Sequence, residues 1–141
     1  MILYLDTSAL VKLYVRERGS ARTRAQAGRA RALATSVVAY AETRAAFARL
    51  LRDRPASRRR HRARTRQFDQ DWNRFMRIEL TTTVGRNAGE LAERHGLRGF
   101  DAIHLASALW LKSVHLGELL FAAFDRRIAL AAAAAGLTVA D

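Results

Sequence analysis

Four carboxylates stand at the edges of apolar runs: Asp6 in ILYLDTSAL, Glu42 in TSVVAYAETRAAF, Asp101 in GFDAIHLASAL and Asp125 in LLFAAFDRRIAL. A carboxylate so placed is partly withdrawn from water, and left unpaired it is costly. Four of them converging on one pocket would repel each other unless protonated or neutralised by a cation. Hard divalent ions with oxygen ligands are the usual remedy, so the first chemistry these residues suggest is metal-assisted. Each acid also has a plainer reading. Asp6 and Asp125 suit helix N-caps, Asp101 suits a first helical turn, and Glu42 suits a solvated helical position paired with Arg44 or Arg49.

The elements that would position the acids alternate along the chain. Met1–Leu5 has the length and flanks of a buried parallel strand, and Thr7 and Ser8 follow as helix-start residues for a helix bearing Leu10, Leu13 and Tyr14. A second helix is predicted over 20–32, a strand over Leu33–Ser36, and a long helix from Val37 to Arg52 opened by Ser36. Pro55 interrupts the pattern, and 56–75 read as helix again, strongly basic. Strands are predicted at Met76–Leu80, Leu119–Phe124 and Leu137–Ala140, with helices over 84–95, 100–113 and Arg126–Ala135. This alternation implies an α/β fold: a central, mostly parallel sheet of four to five short strands, covered on both faces. Ligands on such sheets collect at the carboxyl ends of the strands, where strand order reverses. Asp6 and Asp125 follow strand ends directly, while Glu42 and Asp101 occupy first turns of helices that reach the same crevice.

Length and composition narrow the classes. At 141 residues, with no internal repeat or composition break, one domain spanning 1–141 is expected. Cysteine is absent, which removes disulfides, thiolate zinc sites and thiol nucleophiles. The apolar start carries Asp6 and Lys12 and no basic lead-in, so it reads neither as a signal peptide nor as a membrane span, and a cytoplasmic location is expected. The chain holds 25 basic and 13 acidic residues, a formal charge of +12, and 23 of the 25 are arginine. Such a field favours a polyanion, either nucleic acid or an acidic protein segment. A dinucleotide fold would need GxGxxG after the first strand, yet DTSALV has no glycine, and a Walker A loop is missing as well. A phosphorylation receiver would need a lysine near a late strand end, and neither Lys12 nor Lys112 fits.

With these strings in view the chain resembles the PIN-domain ribonucleases, and among them the VapC-type toxins of type II toxin–antitoxin systems. LDTSALVKLY, AYAET, GFDAIHLASAL and FDRRIALAAAAAGLTV carry the resemblance, in the expected order across nearly the whole chain. It implies a three-layer α/β/α PIN fold, Mg²⁺ or Mn²⁺ at an acidic site, and cleavage of RNA, with transfer or ribosomal RNA as the expected substrates. It also implies a cognate antitoxin that occludes the site, and a homodimer. By position, Asp6, Glu42, Asp101 and Asp125 match the family's acidic quartet, and Ser8 matches the place that supports the first aspartate. One departure is visible: Ala123 stands where the family usually carries Thr or Ser, which leaves the role of Asp125 less supported.

Phosphodiester hydrolysis needs a nucleophilic water, charge relief on the phosphoryl oxygens and help for the leaving oxygen, all of which one or two divalent ions can supply. The expected division of labour gives Asp6 and Asp101 to the principal metal, and Glu42 to orienting the attacking water or accepting its proton. Asp125 is given to a second metal or an outer-shell water. Ends of 5′-phosphate and 3′-hydroxyl would follow, because the nucleophile is water. The alternatives are a non-toxic PIN nuclease of RNA processing and a non-catalytic RNA- or protein-binding PIN domain. His104, inside IHLAS, is expected to be a packed, hydrogen-bonded helix residue rather than a general base. The eight arginines of 52–66 are expected to be mostly solvated, some of them lining the route to the acids. Phe68, Trp72 and Phe75 are read as core or dimer contacts rather than base-stacking platforms.

Overall fold

The computed structural model describes residues 1–54 and 58–141; the expected break at Pro55 lies outside the described residues. Five parallel strands form one sheet: β1 (Ile2–Leu5), β2 (Ala32–Ser36), β3 (Met76–Ile78), β4 (Leu119–Ala122) and β5 (Thr138–Val139), in the spatial order β3-β2-β1-β4-β5. The helices are α1 (Thr7–Val11), α2 (Ser20–Arg29), α3 (Ala39–Asp53), α4 (Arg58–Trp72), α5 (Thr82–His95), α6 (Gly99–Val114) and α7 (Arg126–Ala134). The expected parallel sheet with helices on both faces is what the chain forms.

Alternation along β1 explains the three layers. Ile2 and Tyr4 point into one core with Phe121, Ala102, Leu105 and Ile128, under α5, α6 and α7. Leu3 and Leu5 point the other way, into a core with Leu10, Ala39, Phe47 and Phe68, under α1, α3 and α4. A strand buried on both faces must be apolar at successive positions, and Ile2–Leu5 are each at most 1% exposed. Burying a large apolar side chain in this way contributes about 1.5–3 kcal/mol. The second core is aromatic: Phe68 packs against Tyr14, Tyr40, Phe47 and Trp72 with ring centroids 5.3–5.8 Å apart. Phe68 and Trp72 are therefore core, and Phe75 joins the same cluster.

Several boundaries differ from the expected ones. α1 ends at Val11, so Leu13 and Tyr14 lie in the turns beyond it, and α2 stops at Arg29 because the chain must extend from Ala30 to enter β2. The long helix opens at Ala39, with Val38 as the capping position, rather than at Val37. β3 is three residues long, and α5 begins at Thr82, where Thr81 accepts a hydrogen bond from the Val84 N–H at 3.2 Å. α5 ends at Gly96, whose φ of +63° suits a residue without a side chain.

Strand order places the acids. The chain builds β1, β2 and β3 outward on one side, then crosses to β4 on the other side of β1. The reversal falls between β1 and β4, whose carboxyl ends are tied by the Asp6 N–H donating to the Ala122 carbonyl at 3.0 Å. The Phe68→Ala variant should lose about 3–5 kcal/mol, from lost burial and the cavity left among four rings. Urea unfolding with an unchanged m-value and a lower midpoint is the expected result.

Candidate active site at the sheet switch point

Asp6 leaves β1 and caps α1. Its Oδ1 accepts from the Ala9 N–H at 2.9 Å and from Ser8 Oγ at 2.7 Å, and the residue is only 4% exposed. Ser8 Oγ in turn accepts from the Phe124 N–H at 3.0 Å, joining the end of β1 to the segment after β4. Ser8 thus donates directly to the Asp6 carboxylate. Burial holds the Asp6 carboxyl above the usual range despite both hydrogen bonds, and the nearby negative charge of Asp101 pushes the same way.

Asp125 caps α7, accepting from the Arg127 N–H at 2.8 Å on Oδ1, and is exposed. With Ala123 offering no hydroxyl, this helix cap is the contact that orients it. Asp101 lies in the first turn of α6 and is part-buried. Its carboxyl is raised by burial, then by the charges of Asp125 and Glu42; His104 and Arg98 oppose the shift. The arginine whose charge acts on Asp101 is therefore Arg98, outside the 52–66 cluster. A cleft of about 610 Å³ along α4, lined by Arg62 and Arg66 among others, includes none of the four acids.

Glu42 behaves differently. It sits in the first turn of α3, and its Oε1 takes two short contacts: from Thr7 Oγ1 at 2.6 Å and from His104 Nε2 at 2.9 Å. Burial pushes the Glu42 carboxyl up, but the bonds from His104 and Thr7 outweigh it and leave the group below the usual glutamate range. The plainer reading, a solvated glutamate paired with Arg44 or Arg49, is not what forms. Arg44 turns instead to Tyr40 and Asp69, because Glu42 faces the sheet end and not the outer helix surface.

His104 is buried and hydrogen-bonded, as expected. The sequence did not point to its partners. Its Nδ1 meets Tyr4 Oη at 3.1 Å, and its Nε2 lies 3.0 Å from Thr7 Oγ1 as well as against Glu42. Thr7 gives its one hydroxyl proton to the carboxylate, so it can only accept from the ring; Nε2 therefore carries a proton. The signals available in the sequence were a tyrosine in an otherwise aliphatic strand and a histidine one helical turn after Asp101.

The donor set fits a hard divalent cation. Four carboxylates contribute oxygens; Asp6 and Asp101 are lifted by burial and by neighbouring negative charge, a strain that a cation would relieve. Both bonds to Asp6 fall on Oδ1, and both contacts to Glu42 fall on Oε1, so each keeps a second oxygen. Among the described residues no three acids or histidines already close around one point. A Mg²⁺ ion that keeps most of its water requires only one or two direct carboxylates.

Comparison with known proteins follows this geometry. The PIN domain family matches residues 3–134. Over 139 residues the chain is 40% identical to Ribonuclease VapC45 of Mycobacterium tuberculosis, covering 99% of this chain and 94% of that protein. Among solved structures, VapC20 of M. tuberculosis, a sarcin–ricin loop cleaving toxin, superposes with a TM-score of 0.65 at 20% identity, covering 96% of each chain. A toxin–antitoxin complex from Klebsiella pneumoniae superposes with a TM-score of 0.58 at 19% identity, covering 84% of this chain and 83% of that one. The fold is that of a PIN domain. This chain belongs to the PIN-domain family, in its VapC-type branch.

The raised Asp6 carboxyl sets a pH dependence. The folded state binds this proton more tightly than the unfolded chain, so the Asp6 contribution declines as pH rises from the unfolded value through the folded one, then stays flat. Asp6→Asn keeps an oxygen for the cap and removes the charge. In EDTA the variant should melt above the wild type at neutral pH, with the gap closing toward acid; thermal unfolding across that range checks this.

Proposed function

We propose that this chain is a divalent-metal-dependent endoribonuclease acting as the toxin of a toxin–antitoxin pair. The reading is supported by Asp6 and Asp125 standing just past the ends of β1 and β4, by the charges of Asp101 on Asp6 and of Asp125 and Glu42 on Asp101, and by 40% identity to a named ribonuclease. Bound at these acids, Mg²⁺ or Mn²⁺ would supply charge relief on the phosphate and a lowered water pKa. Asp6 and Asp101 would hold the principal ion, and Asp125 a second ion or an outer-shell water.

The protein's own part is positioning and proton transfer. Glu42 is kept ionised by Thr7 and His104, and it accepts the attacking water's proton on Oε2, the oxygen those residues leave free. Ser8 holds Asp6 in place through Oδ1 and links it to the Asp125 segment. Water attacks the phosphorus, the P–O3′ bond breaks and the departing 3′-oxygen takes up a proton, which leaves a 5′-phosphate and a 3′-hydroxyl.

Transfer or ribosomal RNA is the proposed substrate, drawn in by the net charge of +12. The antitoxin is the proposed protein partner, in keeping with the complexed structural neighbour from K. pneumoniae. Homodimerisation, a single domain over 1–141 and a cytoplasmic site of action complete the proposal. Among the described residues, no helix is long and apolar enough to cross a membrane.

The test is incubation of purified protein with total transfer and ribosomal RNA in Mg²⁺, Mn²⁺ or EDTA. Discrete fragments with 5′-phosphate ends should form only with metal. Asp6→Asn and Asp101→Asn should reduce them by about 100-fold or more, as expected when a group that stabilises transition-state charge is lost. Fragments that persist in EDTA or in both variants would defeat the reading.

A further inference from the structure

Two elements spend polar contacts on one oxygen of one carboxylate, and a third supports one of those contacts. Thr7 from α1 and His104 from α6 both reach Glu42 Oε1 on α3, and Tyr4 from β1 backs His104 from the core side. Tyr4 is fully buried and His104 is 2% exposed. The Tyr4 ring stacks on Phe121 at 5.5 Å and 11°, and meets His104 edge-on at 6.1 Å and 78°.

Core positions beside Leu105 and Ala106 are ordinarily filled by aliphatic side chains at no polar cost. Here the core carries a phenol and an imidazole whose hydrogen-bond chain ends on an acid at the rim, its side chain 27% exposed. A free glutamate explores many rotamers, and ordering it carries an entropic cost. The two contacts on Oε1 offset that cost in the fold and leave Oε2 outside them.

We infer that His104, braced by Tyr4 and joined by Thr7, is the positioning residue that fixes Glu42 for reaction, an inference that rests on the nuclease reading above. His104 does not reach the reacting atoms. It acts through the orientation of Glu42, as outer-shell partners of metal-site carboxylates do.

The variants are Tyr4→Phe, which keeps the ring and removes the hydroxyl, Thr7→Val, which removes the donor to Oε1, and Thr7→Ser, which restores it. Glu42→Gln is the reference for losing the acid itself. Measurements are kcat and KM on a cleaved RNA, the dissociation constant of Mn²⁺ by titration of the metal alone, and the melting temperature. Tyr4→Phe and Thr7→Val should lower kcat or weaken Mn²⁺ binding by about tenfold or more, with KM unchanged. Thr7→Ser should recover most of the loss. Should Tyr4→Phe fail to fold, the part-buried Thr7 pair decides alone.

If Glu42→Gln is inactive while Tyr4→Phe and Thr7→Val stay within twofold of wild type in both readouts, the brace is structural and the inference fails. A loss that Thr7→Ser does not recover also overturns it. If the wild type cleaves no RNA with metal, the failure belongs to the nuclease reading. In that case an unchanged Mn²⁺ constant in Thr7→Val overturns the brace separately.

Discussion

Burial of a single carboxylate at the end of the central strand is the constraint on which the acidic end of this structure depends. β1 is flanked on both sides by parallel neighbours and covered on both faces, so the residue that leaves it has little water around it. Asp6 meets that position by spending Oδ1 on one free N–H of the first turn of α1, that of Ala9, and on the Ser8 hydroxyl. Ser8 then fixes the Phe124 N–H, one residue before Asp125. The start of α1 and, through Ser8, the segment leading to Asp125 are thus tied to one carboxylate. The fold tolerates that charge at a cost, which its elevated proton affinity records.

The four acids are not equivalent, and their surroundings say why. Asp6 is lifted by burial and by the charge of Asp101, and Asp101 by burial and by the charges of Asp125 and Glu42, which leaves both with unspent affinity for positive charge. Glu42 is lowered, because two donors satisfy it at the expense of the core. Asp125 is exposed and held by a helix N-terminus. One site therefore holds acids that gain from a cation and an acid already prepared as a carboxylate, the kind of division that acid–base chemistry at a metal requires.

How much of this was legible in the sequence depends on range. Buried strands announce themselves by short unbroken apolar runs, so ILYL and LLFA could be placed, and Asp6 and Asp125 read as caps from local position alone. Helix ends set by neighbours were less readable. α1 stops at Val11 because the chain must turn across the sheet, although Leu13 and Tyr14 continue its apolar spacing. The partners of Glu42 were not readable at all. Thr7 and His104 lie 35 and 62 residues from it, and Tyr4 lies 100 from His104, so only the strand order brings them together. An arginine two positions away was the local candidate, and the helix face rules it out.

Charge adds the last step. The arginines of α4 stand apart from the acids, and Arg64 is committed to the Tyr14 carbonyl at 3.3 Å. At physiological ionic strength a charge acts strongly over only about 8–10 Å, so exposed arginines beyond that reach contribute a diffuse field rather than a contact. The site itself is negative: Asp101 meets repulsion from Asp125 and Glu42 and relief from Arg98. A phosphate drawn by the general field of +12 is thus repelled at the acids themselves. Under the proposed function, the cation that neutralises the acids also converts a repulsive pocket into an attractive one. Binding at the reacting phosphate and catalysis then share one requirement, while attraction to the rest of the chain does not depend on it.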